Sequence, residues 1–186
     1  MKSTDATLLV VPGWNDSSPD HWQSRWISRL SAAERVHQVD FARPERTTWV
    51  ENLLQAIDAA QKPVVLIAHS LGTTTVLHAA AQLKQGPLAG KVAGAFLVAP
   101  PDLDAPEASP VLAGFGPVPM QRLPFPSLVV ASRTDPWCSY ERATDFATAW
   151  GAELVDAGHA GHINPEAGFG PWPEGTMRFL GFLRSL

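Results

Sequence analysis

Apolar residues along this chain fall in short, evenly spaced bursts. The densest is Val64-Val65-Leu66-Ile67, rich in β-branched side chains and preceded by Pro63. Such a run predicts a strand buried on both faces. Similar bursts at residues 7–11, 36–41, 92–99, 127–132 and 152–155 predict five more strands. Between them the apolar spacing lengthens to three and four. Trp22, Trp26 and Leu30 share one face of a first helix, whose cap is expected at Ser18-Pro19. Val50, Leu53, Leu54 and Ile57 mark a second helix, with Thr48 to Glu51 read as its capping box. Residues 140–150 read as helical, and Phe179, Phe182, Leu183 and Leu186 close the chain with another amphipathic helix.

Strands alternating with helices predict an α/β fold: a mainly parallel sheet inside a three-layer α/β/α sandwich. One segment breaks the short-loop rhythm. Residues 100–126 hold eight of the seventeen prolines, which disfavours both helix and central strand. This segment leaves the carboxyl end of the fourth strand. It is expected either to cover a site at that edge or to serve as a rigid surface connection.

The junction after the central strand carries the sharpest chemical signal. Ser70 lies two residues from Ala68 and two from Gly72, just before an Ala-rich helical stretch. That layout is a nucleophile elbow, in which a strand turns into a helix so tightly that the flanking residues must be small. The usual first glycine is here Ala68. A plain serine N-cap is the competing reading of the same residues. In the elbow reading the Leu71 amide, at the helix N-terminus, is one donor for an oxyanion. The other is expected from Pro12-Gly13-Trp14-Asn15 after the first strand, with the Trp14 amide preferred to Asn15.

Composition narrows the function without naming it. The 186 residues fit one domain spanning the whole chain, 1–186; 45% are hydrophobic and 17% charged, as in compact proteins. A formal charge of −4, with no basic run, argues against nucleic acid. No apolar stretch reaches membrane length and no signal-peptide core is evident. Cys138 is the single cysteine, so no internal disulfide forms and a cytoplasmic setting is expected. There is no Gly-rich phosphate loop and no convincing metal-ligand set, so no cofactor or metal is expected.

A serine hydroxyl needs a histidine base, and the base needs an acid to fix its tautomer. In the order Ser, acid, His, the acid is best sought after the fifth strand, where Asp135 stands; Asp102 and Asp104 after the fourth are weaker candidates. Two histidines follow the last strand, His159 and His162, and the residues alone leave both open. His69 is expected to point away from the nucleophile, His78 to be structural, and His37 to lie in a strand on the wrong side of that order. His21, close to the oxyanion turn, and Asn15 within that turn are candidate substrate contacts. Trp14, Trp137 and Trp172 fall beside presumed site loops and predict an aromatic-lined apolar pocket. Trp22, Trp26 and Trp49 read as core, and Cys138 as a bystander.

Taken together, Val11-Pro12-Gly13-Trp14 with His21-Trp22, Ala68-His69-Ser70-Leu71-Gly72, Leu97-Val98-Ala99-Pro100-Pro101, Ser132-Arg133-Thr134-Asp135-Pro136 and Ala160-Gly161-His162-Ile163-Asn164 span nearly the whole chain. In this order the sequence resembles the compact α/β-hydrolase family of YdeN-like serine hydrolases, which includes retinoblastoma-binding protein nine. The resemblance implies a six-stranded parallel sheet without a cap domain, and it tolerates Ala68 at the elbow. It also implies a triad of Ser70, Asp135 and His162, since Gly161-His162 matches the family's Gly-His pair. The Leu-x-Cys-x-Glu pattern of a retinoblastoma ligand is absent, so that partner is not expected.

The expected activity is hydrolysis of small esters or amides through an acyl-enzyme, by a monomer or weak homodimer. The rival readings are a fold-retaining binding protein, or an acyltransferase or peptidase using the same triad.

Overall fold

The computed structural model describes residues 1–186. Six strands form one fully parallel sheet: β1 (Thr7–Val11), β2 (Ala33–Arg35), β3 (Val64–His69), β4 (Val92–Val98), β5 (Ser127–Ala131) and β6 (Glu153–Asp156). Their spatial order is β2-β1-β3-β4-β5-β6. The chain runs outward to β2, crosses back over β1 to β3, and then proceeds to the opposite edge. The reversal lies between β1 and β3, and a crevice opens at the carboxyl ends of strands flanking such a switch.

Five helices cover the sheet: α1 (Trp22–Arg29), α2 (Arg46–Ala59), α3 (Leu71–Lys84), α4 (Tyr140–Trp150) and α5 (Pro173–Ser185). The two-residue period of the strands sorts the core into two layers. Leu9, Val11, Val64, Leu66 and Ala68 pack beneath α2, α3 and α4. Leu8, Val10, Val65 and Ile67 face α1 and α5, where Trp22, Trp26, Phe179 and Phe182 meet them. All six residues of β3 are buried, as its unbroken apolar run requires.

Several boundaries differ from the sequence expectation. The second strand is Ala33–Arg35, not residues 36–41. Its partner residues on β1 are Leu8, Leu9 and Val10. The Asp40 carboxylate accepts the Ala42 and Arg43 amides and turns the chain away, leaving Val39 exposed. Helix α1 is capped by His21 rather than by Ser18-Pro19: the imidazole Nδ1 accepts the Gln23 amide at 3.1 Å. Helix α2 begins at Arg46, because the Glu45 carboxylate accepts the Thr47 and Thr48 amides and displaces the expected box. Those bonds hold the Glu45 carboxyl at about 2, well below its ordinary range.

Residues 100–126 are not an open loop. They contain a short 3-10 helix, Pro110–Phe115, and bury Leu103, Leu112, Phe115, Val118 and Leu123 against the α2–α3 side of the sheet. His78 fixes this segment: its Nε2 donates to the Phe115 carbonyl at 2.7 Å, the structural role expected of it. No helix is long and apolar enough to cross a membrane.

Candidate active site

Ser70 follows β3 directly and stands at the N-cap of α3 with φ 52° and ψ −127°. A non-glycine residue held at positive φ is strained, and such strain persists only where the surroundings impose it. Here they do. The Ser70 amide donates to Val98 on β4 at 3.0 Å, and its carbonyl accepts from the Thr73 amide and hydroxyl. A Cβ on Gly72 would overlap the carbonyl oxygens of Val11 and Pro12, so the elbow helix can start against β1 only with glycine there. A Cβ on Gly13 would come within 2.8 Å of the Ser70 Cβ and 3.3 Å of the Leu71 amide nitrogen. The turn after β1 therefore presses on the elbow. The Trp14 amide has no hydrogen-bond partner within the protein, and the Leu71 amide begins a helix, where intrahelical partners are lacking.

The Ser70 hydroxyl lies 2.8 Å from Nε2 of His162. Nδ1 of the same imidazole lies 2.9 and 3.0 Å from the two carboxylate oxygens of Asp135. The Asp135 side chain is almost wholly buried and also accepts the Trp137 amide at 2.9 Å. Three groups distant in sequence thus form one hydrogen-bonded chain.

The loops that carry Asp135 and His162 are stitched together. Ser132 Oγ accepts the Ala160 amide at 2.9 Å, Thr134 Oγ1 accepts the Gly161 amide at 3.1 Å, and the Arg133 amide donates to Gly158 at 2.7 Å. On its other side the His162 loop is gripped by Trp22, whose Nε1 donates to Ile163 at 3.0 Å, and by His69, whose Nε2 donates to the His162 carbonyl at 2.9 Å. The sequence reading missed these anchors. Ser132 and Thr134, two hydroxyls flanking Arg133 just before the acid, were its available signal.

The competing candidates stand elsewhere. His159 is exposed and bonds to nothing in the site. Asp102 and Asp104 pair with Arg142 rather than with a histidine. His37 lies in the exposed stretch after β2 and in no strand. Cys138 is buried, and burial above all, with Asp102 and Asp135 nearby, pushes its thiol up to about 12, so it is inert. No three His, Cys, Asp or Glu side chains are grouped to hold a metal ion.

Ser70 opens into a cleft of about 360 Å³. Its walls include Trp14, Asn15, His21 and Trp137, and residues 100–126 contribute Pro101 and Leu112. Three expectations need correction. The lining is mostly polar, with Asp16, His69, Asn164 and Glu166 among it, not an aromatic apolar pocket. Trp172 is not in it. As the N-cap residue of α5, Trp172 turns its indole into the core layer beneath α1 and α5, 5% exposed, against Trp22, Trp26 and Gly175. Nor does His69 point away: the residue lines the cleft, and its ring sits 5.0 Å from that of His162.

Fold and geometry together define a class. The serine hydrolase family model matches residues 8–180, and the chain belongs to that family. Within it the likeness runs to YdeN-like proteins. A protein described as a YdeN-like hydrolase from Pectobacterium atrosepticum is 37% identical, with 97% of this chain and 91% of that one covered and a TM-score of 0.84. The ydeN gene product of Bacillus subtilis is 22% identical over 95% of this chain and 98% of its own, with a TM-score of 0.77. Est1E from Butyrivibrio proteoclasticus, solved with ferulic acid, shares the fold at 14% identity, covering 84% of this chain and 81% of that one, with a TM-score of 0.64. Comparison with curated proteins finds no significant match.

Proposed function

We propose that this serine hydrolase cleaves small carboxylic esters through an acyl-enzyme on Ser70. The observation that carries the reading is the continuous hydrogen-bonded chain from the Ser70 hydroxyl through His162 to Asp135 at a strained elbow. His162 Nε2 takes the Ser70 proton as Oγ attacks the acyl carbon. Asp135 keeps the other imidazole proton on Nδ1 and stabilises the imidazolium that forms. The carbonyl oxygen becomes an oxyanion held by the Leu71 and Trp14 amides. His162 then returns its proton to the leaving alkoxide. Water, deprotonated by the same imidazole, attacks the acyl-enzyme and frees the acid and Ser70.

Esters come before amides because an alkoxide leaves more easily than an amide nitrogen. The single cysteine fits work in a reducing compartment such as the cytoplasm. The test is a series of p-nitrophenyl esters of increasing acyl length with wild type and Ser70→Ala. Turnover by wild type, lowered at least about 10⁴-fold in the variant, supports the reading. Equal rates in both would end it.

A further inference from the structure

Two imidazoles beside Ser70 and His162 take no part in the proton transfers above. His21 Nδ1 accepts the Gln23 amide at 3.1 Å, so the neutral ring carries its proton on Nε2. His69 Nε2 donates to the His162 carbonyl at 2.9 Å, so its Nδ1 is a bare lone pair. The rings meet edge to face with centroids 4.7 Å apart. Both residues are about 5% exposed, and both line the cleft.

Neither of the remaining ring nitrogens has a partner in the protein. The single fully buried side-chain polar atom without a partner is Thr74 Oγ1, so the free ring nitrogens of His21 and His69 are not sealed in the core, and both residues line the cleft. One N–H and one lone pair therefore belong to adjoining rings, centroids 4.7 Å apart, in the wall of the cleft that holds Ser70. Burial keeps both imidazoles neutral, His21 pushed down to about 3 and His69 well below its usual value.

The pair matches few groups. A hydroxyl can accept from His21 Nε2 and donate to His69 Nδ1 at once. A carboxylate would set charge against the His69 lone pair, and an ammonium would face the His21 N–H. The rest of the lining adds no cation: Asp16 is ion-paired with Arg35, and the Glu166 carboxylate has no ion-pair partner. An alkyl group would dehydrate two polar atoms without replacing their bonds.

We infer that His21 and His69 form a subsite for a hydroxyl carried near the scissile carbonyl, making short neutral hydroxy-acid esters the substrate class. This rests on the hydrolase reading above. In it, His21 and His69 are specificity-determining residues, and His162 remains the base.

The test compares matched esters in which a methyl replaces the hydroxyl: ethyl lactate against ethyl isobutyrate, and ethyl 3-hydroxybutyrate against ethyl isovalerate. Rates are followed by pH-stat for wild type and for His21→Asn, which keeps a good N-cap but removes the Nε2 donor. Fluorophosphonate labelling of Ser70 in both proteins checks that the elbow is intact. The inference predicts a kcat/KM at least about tenfold higher for the hydroxylated member of one pair or both, falling toward equality in His21→Asn while labelling persists. Equal rates for both members of each pair in wild type, or a preference unchanged in His21→Asn, would overturn the subsite and leave the hydrolase reading standing. Failure to turn over any ester, with no labelling of Ser70, would remove both.

Discussion

The Nε2 proton of His69 is donated to the backbone carbonyl of His162 at 2.9 Å, so the residue before Ser70 holds the main chain of His162. Strand β3 thereby sets two members of the hydrogen-bonded chain at once, Ser70 through its bend and His162 through this grip. His69→Phe keeps a ring but loses the donor. It is expected to lower kcat about 10- to 100-fold with little change in KM, since a small misplacement of a reacting group costs rate rather than binding. His69→Gln, which keeps an N–H, should recover part of the loss. Steady-state kinetics of both variants check this, and a loss confined to KM would contradict it.

Buried neutral histidines make the fold acid-sensitive. Burial first, then His162 and Arg35, brings the His21 imidazole from 6.5 to about 3, and burial, His21 and His162 also lower His69. Above about pH 6.5 both the folded and unfolded chains keep these rings neutral, and nothing is lost. Below it only the unfolded chain takes up protons, so stability falls as pH falls, by roughly 1.4 kcal/mol per pH unit for His21. The carboxylates Asp40, Glu45 and Asp156, all held below their ordinary values, add to the loss only at lower pH, below about 4.5. Urea unfolding between pH 7.5 and 5 should show the decline, with a shallower slope in His21→Asn. A flat wild-type profile would contradict it.

Gly72 is the tightest steric point of the elbow. Gly72→Ala sets a methyl against the Val11 and Pro12 carbonyls, so the turn after β1 must move away. The expected cost is about 2 kcal/mol of stability, together with slower turnover as the Trp14 amide shifts. Thermal unfolding and p-nitrophenyl ester turnover measure the two effects. A variant as stable and as active as wild type would show that the contact is relieved elsewhere.

The two histidines of the last loop separate cleanly. His159→Ala removes an exposed ring with no bond to the site and should leave turnover within about twofold of wild type. His162→Ala should lower kcat by at least about 10⁴-fold. The reverse pattern would transfer the base to His159.

Where local rules decide, the sequence is a good guide. The β3 run and the small residues around Ser70 place the elbow, because strand burial and turn sterics act over neighbouring residues. The helix read at residues 140–150 is the one observed, Tyr140–Trp150, closed by Gly151 in a left-handed conformation. The failures are tertiary. An imidazole is not among the usual caps, so nothing local marks His21 as the start of α1. Ala33–Arg35 lacks β-branched residues and is a strand only because β1 offers a free edge. Trp172 follows the His162 loop in sequence, yet the buried faces of α1 and α5 draw its indole into their core layer and out of the cleft. The hydroxyl links from Ser132 and Thr134 to the His162 loop exist only once β5 and β6 are paired.

The most direct measurement is intact-mass and peptide mapping after treatment with a fluorophosphonate, on wild type, Ser70→Ala and His162→Ala. The account predicts one adduct, on Ser70, absent from Ser70→Ala and formed far more slowly in His162→Ala. An adduct on another residue, or none on a folded wild-type protein, would contradict it.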